Sequence, residues 1–330
     1  MDVSTVVAVA LFLAGIALVV WSVERFVEAV ARSAVSLGVS GFLLAVVLAG
    51  VDLENAILGI TAAYGDLSDL ALGTVFGEAV FVLTVAVGVA GVLVPFETRV
   101  PRSYLLLSLS VPVPMAVLSL TGTLTWTDGL LLSLSFLPLL FLIYALERRT
   151  ETRYMVAEEV EEVIGLDEES GEEVDESEAA TGTRAGWYHL GVALGATVLM
   201  TVGSAIAVAG AEGVLNAFDL SGLAFGATVM SFIASLEELL LTVEPVRKGR
   251  PEIAVGNVVG STLFYVTANA GLIALIRPID TGGAVMTVHW PFFALSLVLV
   301  VAMFYRGRVG RLGGTALLAL YVGYWLANYL

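Results

Sequence analysis

A chain of 330 residues that is 58% hydrophobic, with a mean hydropathy of +0.94, cannot be an ordinary water-soluble domain. Its formal charge of −16 is concentrated, with 14 of the 31 acidic residues between Glu147 and Glu178, so the acidity belongs to one segment and not to a face for basic partners. The absence of cysteine excludes disulfides, thiolate metal sites and cysteine nucleophiles.

Apolar runs recur along the chain, each about long enough to cross ~30 Å of hydrocarbon. They predict ten spans, at 4–30, 39–64, 68–94, 102–121, 126–146, 186–214, 220–245, 251–276, 286–305 and 311–329. The first run, Val6–Trp21, continues into Val27–Val35 without an A-x-A site and reads as a span, not as a cleaved leader. Pro112 and Pro114 are expected to kink the fourth span and Pro138 the fifth. His189, next to Trp187 and Tyr188, and His289, beside Trp290, read as interfacial belt residues. Glu24, Arg25 and Glu28 read as snorkelling groups near the end of the first span.

The loops after the odd-numbered spans hold 14 of the 15 Lys and Arg residues, and only Arg277 falls on the other side. By the positive-inside rule both termini lie outside the cell membrane and the acidic segment is cytoplasmic. The chain then divides into a first five-helix repeat (1–147, site helices 39–94), an acidic linker (148–185) and a second five-helix repeat (186–330, site helices 220–276). An odd number of spans per half makes the two repeats inverted, related by an axis in the membrane plane. The linker predicts a solvated, disordered segment with a short helix near Val156–Ile164, and it lacks a spaced D-x-D-x-D-G calcium loop.

Polar residues in the middle of the apolar runs carry the chemistry. The stretch Gly226–Asn269 holds Ser235, Glu237, Glu238, Gly256, Asn257, Gly260 and Ser261. A weaker copy lies 183 positions earlier, pairing Asp52 with Ser235, Glu54 with Glu237, Asn55 with Glu238, Gly73 with Gly256, Gly77 with Gly260 and Glu78 with Ser261. Carboxylates at such depth normally face a protein interior or an ion path. At ~100° per residue Ser235 and Glu238 share a helix face, as do Asp52 and Asn55. Asn257 and Ser261, and likewise Thr74 and Glu78, are four apart and share a face. The paired glycines let helix backbones approach closely. The expected cation ligands are Asp52, Asn55, Glu78, Ser235, Glu238, Asn257 and Ser261, whose oxygens suit hard cations such as Na⁺, Ca²⁺ or H⁺. Glu54 and Glu237 point ~100° away from their neighbours, so they read as proton carriers or flanking groups, or as an interhelical hydrogen-bonding pair. Asn269 and Thr267 read as helix–helix hydrogen bonders. No Gly-rich phosphate loop or Ser/His/Asp constellation is present, so the expectation is a non-enzyme with no cofactor and no nucleic-acid partner.

These residues resemble the cation/Ca²⁺ exchanger superfamily, in its sodium/calcium exchanger branch. Each repeat of that family carries G-T-S-x-P-E followed by G-N-x-x-G-S-N. Here A-S-L-E-E (234–238) and G-N-V-V-G-S-T (256–262) keep the nineteen-residue step from Glu238 to Asn257, and the lead-in GATVM (226–230) also matches. The resemblance is close over 221–270 and weaker over 39–93. It implies that Glu238, Ser235, Asn257 and Ser261 are cation ligands in an alternating-access antiporter whose gating helices are spans 1 and 6. Both family prolines are replaced, by Glu54 and Glu237, which removes the expected cause of a helix break at the site. The first-repeat glutamate is Asn55, and the acidic or amide residue one turn further on is Val82 and, in the second copy, Tyr265. The expected function is exchange of Ca²⁺, or another hard cation, for Na⁺. A proton-coupled exchanger and a non-transporting cation sensor are the alternatives.

Overall fold

A computed structural model of the chain describes residues 3–36, 52–147 and 182–330. The start of the expected second span and almost all of the acidic linker lie outside the described residues. In chain order the helices are α1 (Val3–Ser36), α2 (Leu53–Tyr64), α3 (Ser68–Phe81), α4 (Val87–Leu93), α5 (Arg102–Ser110), α6 (Val113–Ser119), α7 (Trp126–Glu147) and α8 (Gly182–Phe218). There follow α9 (Gly222–Phe225), α10 (Ser231–Ala234), α11 (Leu236–Arg247), α12 (Pro251–Phe264), α13 (Ala270–Ile276), α14 (Trp290–Tyr305) and α15 (Arg311–Tyr329). Four π-helical turns, Val82–Ala86, Gly226–Met230, Tyr265–Asn269 and Val285–His289, run directly into these helices.

Among the described residues six helices are long and apolar enough to cross a membrane, or seven if the bent pair Gly222–Ala234 and Leu236–Arg247 is one span. The sequence predicts ten. Physical reasons for the difference are visible: α2 is described over only 12 residues, and glycine, tyrosine and tryptophan dilute the hydropathy of α15. The fourth span breaks between Ser110 and Val113, with Pro112 in the break and Pro114 in the first turn of α6, whereas Pro138 is accommodated inside continuous α7. Leu106, Leu120, Leu131, Leu137 and Phe141 turn outward, as expected of side chains that meet lipid rather than water.

The 183-residue repeat is visible in the element boundaries. Leu53–Tyr64 corresponds to Leu236–Arg247, Ser68–Phe81 to Pro251–Phe264, the π turn Val82–Ala86 to Tyr265–Asn269, and Val87–Leu93 to Ala270–Ile276. The short strands β1 (Phe96–Glu97) and β3 (Ile279–Asp280) keep the same offset. Contacts recur with the halves exchanged. Strand β1 pairs antiparallel with β4 (Arg308–Val309), and β3 pairs antiparallel with β2 (Thr123–Leu124). Likewise α4 packs on α15 and α13 packs on α7. At these crossings Gly88 meets Gly314 and Gly271 meets Gly129, with no room for a side chain at Gly129, Gly271 or Gly314 and a tight fit at Gly88.

The chain folds as two compact units that cut across the sequence halves. One is Met1–Leu58 with Met155–Val214, and the other is Gly59–Tyr154 with Leu215–Leu330. In the first, α1 and α8 pack backbone to backbone: a Cβ on Gly15 would lie 2.3 Å from Ala207 N, and one on Gly210 would lie 2.2 Å from Phe12 N. Near the end of α1, Glu28 pairs with Arg25 (3.7 Å) and Arg32 (3.2 Å), and Arg25 lies over Trp21. In the second unit α3 crosses the α9–π–α10 segment closely enough that a Cβ on Gly73 would lie 2.3 Å from Leu223 O, and one on Gly226 2.2 Å from Leu70 O.

Candidate cation-binding site

Ser235 breaks the helix in the second repeat. Its backbone leaves the α-helical region (φ −88°, ψ 13°), and the axis turns by 47° between Gly222–Ala234 and Leu236–Arg247. The break forms without the family's proline, so the proline is not what this chain needs to bend here. The bend opens a new helix N-terminus, whose first-turn N–H groups favour negative charge, and Glu237 and Glu238 sit in that first turn. Glu238 is buried, at 6% exposure, while Glu237 is half-buried, in line with the angular separation expected from their adjacency. The Ser235 side chain is wholly buried, and its Oγ has no hydrogen-bond partner among the described residues.

Glu78 lies on α3 at 1% exposure. Helix α3 packs along the α9–π–α10 segment and against the π turn Tyr265–Asn269. At Gly77 a Cβ would sit 2.3 Å from Ser231 Oγ, so the glycine is what lets the helix bearing Glu78 come this close. Asn257 and Ser261 are half-buried on α12, which packs on α11, and Asn257 Nδ2 donates to Thr242 Oγ1 at 3.3 Å. The second unit thus holds Glu78, Ser235, Glu238, Asn257 and Ser261 on elements that pack on one another.

Asp52, Glu54 and Asn55 belong to the first unit. Asp52 immediately precedes α2 and caps it: Asn55 N donates to Asp52 Oδ1 at 3.0 Å and Asn55 Nδ2 to Asp52 Oδ2 at 2.5 Å. Ser204 Oγ donates to Ile57 O at 3.3 Å, fastening the start of α2 to α8. Glu54 and Asn55 are buried, and Glu54 Oε1 and Asn55 Oδ1 have no hydrogen-bond partner among the described residues. Among those residues no three Asp, Glu or His side chains gather as a metal-holding group.

Three expectations need correction. His289 is not an interfacial residue: it is wholly buried, its Nδ1 lies 2.7 Å from Tyr324 OH, and its ring packs against Phe76. Thr267 bonds its own helix, donating to Leu263 O at 2.5 Å, and neither side-chain atom of Asn269 has a partner among the described residues, so neither joins helices by a hydrogen bond. One contact was not predicted: the buried Tyr265 hydroxyl donates to Glu238 Oε1. The signal for it is the four-residue step Asn257, Ser261, Tyr265, Asn269, which carries the polar face two steps past the predicted ligands.

Known proteins match this arrangement. The model of the family described as sodium/calcium exchanger protein matches residues 7–145 and 188–330. The chain is 32% identical over 276 residues to inner membrane protein YrbG of Escherichia coli, covering 82% of this chain and 80% of that one. It is 31% identical over 100 residues to sodium/calcium exchanger MaX1 of Methanosarcina acetivorans, covering 30% and 29% of the two chains. A solved structure of the sodium-calcium exchanger NCX_Mj, soaked with Na⁺ and Sr²⁺, superposes with a TM-score of 0.59 at 20% identity, covering 96% of this chain and 97% of that one.

Proposed function

The chain belongs to the sodium/calcium exchanger protein family, and from that premise we propose that it is a secondary antiporter exchanging Ca²⁺, or another hard cation, for Na⁺ by alternating access. The observation that carries this reading is the burial of Glu78 and Glu238 within apolar helices, beside the buried Ser235. Ionised carboxylates at that depth are costly unless a counter-charge or proton meets them. The buried Ser235 Oγ, which has no hydrogen-bond partner among the described residues, adds an acceptor that an incoming hard cation would satisfy.

In this reading the ligands are Asp52, Asn55, Glu78, Ser235, Glu238, Asn257 and Ser261, drawn from both halves of the sequence. Ten spans form two inverted repeats, with both termini outside the plasma membrane and the linker inside. Support for the inversion comes from the charge asymmetry of the loops and from strand and helix contacts that recur with the halves exchanged. Occupancy by either ion neutralises the carboxylates enough for spans 1 and 6 to move and re-expose the site, whereas the empty site is held back by its own repulsion.

A proton-coupled exchange is favoured by one observation, the extra buried acid Glu54 immediately before Asn55. Radiolabelled Ca²⁺ uptake and a pH-sensitive dye followed in the same reconstituted vesicles separate the two. Sodium coupling gives Ca²⁺ uptake that depends on an outward Na⁺ gradient, with no matching proton signal. Uptake accompanied by proton release and indifferent to Na⁺ would replace sodium coupling by proton coupling, and ion binding without flux would leave a sensor.

A further inference from the structure

Tyr265 is wholly buried and Glu238 nearly so, and the phenol donates its hydrogen bond to Glu238 Oε1. The tyrosine opens the π turn Tyr265–Asn269, and its ring packs edge-on against Phe264, with centroids 5.9 Å apart. Insertions of this kind recur where a side chain must be re-aimed, often at functional sites. The first repeat builds the same turn, Val82–Ala86, with valine at the equivalent place. The element therefore forms without a phenol, and the hydroxyl needs another explanation. The same asymmetry runs along the helix: Asn257, Ser261, Tyr265 and Asn269 continue a polar face whose counterparts are Thr74, Glu78, Val82 and Ala86.

We propose that Tyr265 sets the monovalent-against-divalent preference of this chain's cation site by engaging one oxygen of the Glu238 carboxylate. The inference rests on the antiporter reading and deepens it. A carboxylate oxygen that accepts a phenolic hydrogen is a poorer cation ligand, because part of its electron density is already committed to the donor. Na⁺ loses little when a carboxylate binds through one oxygen. Ca²⁺ takes six to eight oxygens and commonly uses both oxygens of one carboxylate, so it loses more. Tyr265 is thus a positioning residue that tilts selectivity against ions demanding bidentate coordination.

The test is equilibrium binding of radiolabelled Ca²⁺ and Na⁺ to the purified full chain and to Tyr265→Phe, with Tyr265→Leu as a second variant lacking the hydroxyl. The expected result is an affinity ratio of Ca²⁺ to Na⁺ that rises roughly tenfold in both variants, the size of one charge-assisted hydrogen bond. A general loss of structure would weaken both ions together and leave the ratio unmoved. In variants that keep the Na⁺ affinity of the unmodified chain, an unchanged ratio, or a fall in Ca²⁺ affinity showing that the phenol is itself a ligand, would overturn the proposal. In the unmodified chain saturating Ca²⁺ is expected to perturb the tyrosine ultraviolet absorbance, and a flat difference spectrum would also overturn it. If the unmodified chain binds neither ion, the antiporter reading itself fails. If it binds both while the variants keep its ratio, only the role of Tyr265 fails.

Discussion

Single side chains divide into those that build the site and those that merely accompany it. Asp52 does structural work, because both of its oxygens are engaged in capping α2 through Asn55. Asparagine is an equally good N-cap, so Asp52→Asn removes the charge while keeping the helix start. Asp52→Asn and Glu78→Gln are each expected to shift cation affinity in titrations of the purified protein. Affinities equal to the unmodified chain in both variants would refute a shared site. Asn269 makes a separate prediction, since its buried amide has no partner among the described residues. Asn269→Leu should therefore raise the melting temperature in ion-free detergent solution, consistent with relief of about 1–3 kcal/mol of desolvation cost. A clear loss of stability would show that the amide is satisfied after all. The acids and amides were legible because an ionisable group in an apolar run is conspicuous by type alone. Tyr265 and His289 were not, because a tyrosine or a histidine beside aromatic residues is ordinary at a membrane boundary, and only packing shows that both are buried.

Helices and their crossings give the next level. The repeat offset was legible from a few polar matches, and the element boundaries reproduce it over five consecutive elements. The π turns were not legible, since inserting one residue into a helical turn leaves apolar composition untouched. Loss of the proline removes the expected cause of a break, yet the break at Ser235 forms, so the bend follows from how the flanking segments pack and not from a missing N–H. Glycine spacing proved informative where the helices cross. Gly73→Ala would drive a Cβ against Leu223 O, and a cost of about 1–3 kcal/mol is expected, read as a lowered melting temperature in detergent. Gly191 on α8 has nothing among the described residues within 4 Å of its would-be Cβ, so Gly191→Ala should be neutral or stabilise by about 0.5–1 kcal/mol. Equal effects at the two positions would show that close backbone approach is not what selects glycine at 73.

For the molecule as a whole, sequence halves and compact units are different divisions. The repeat follows the linker, whereas packing joins α1 with α8 and gathers the later parts of both halves into the other unit. Linear order cannot show this, because it depends on which apolar faces find each other. The proposed topology is directly testable because the chain has no cysteine of its own. A cysteine introduced at Ser170 should react with a membrane-impermeant maleimide only from the cytoplasmic side, and one at Leu330 only from outside. Reaction of both from one side would remove the inverted-repeat arrangement. A transport site built on Glu238 is tested most directly by Na⁺-gradient-driven Ca²⁺ flux in proteoliposomes containing the unmodified chain or Glu238→Gln. Flux in the unmodified chain that is abolished in a folded Glu238→Gln protein is the expected result; flux undiminished by that substitution would contradict a transport site built on this carboxylate.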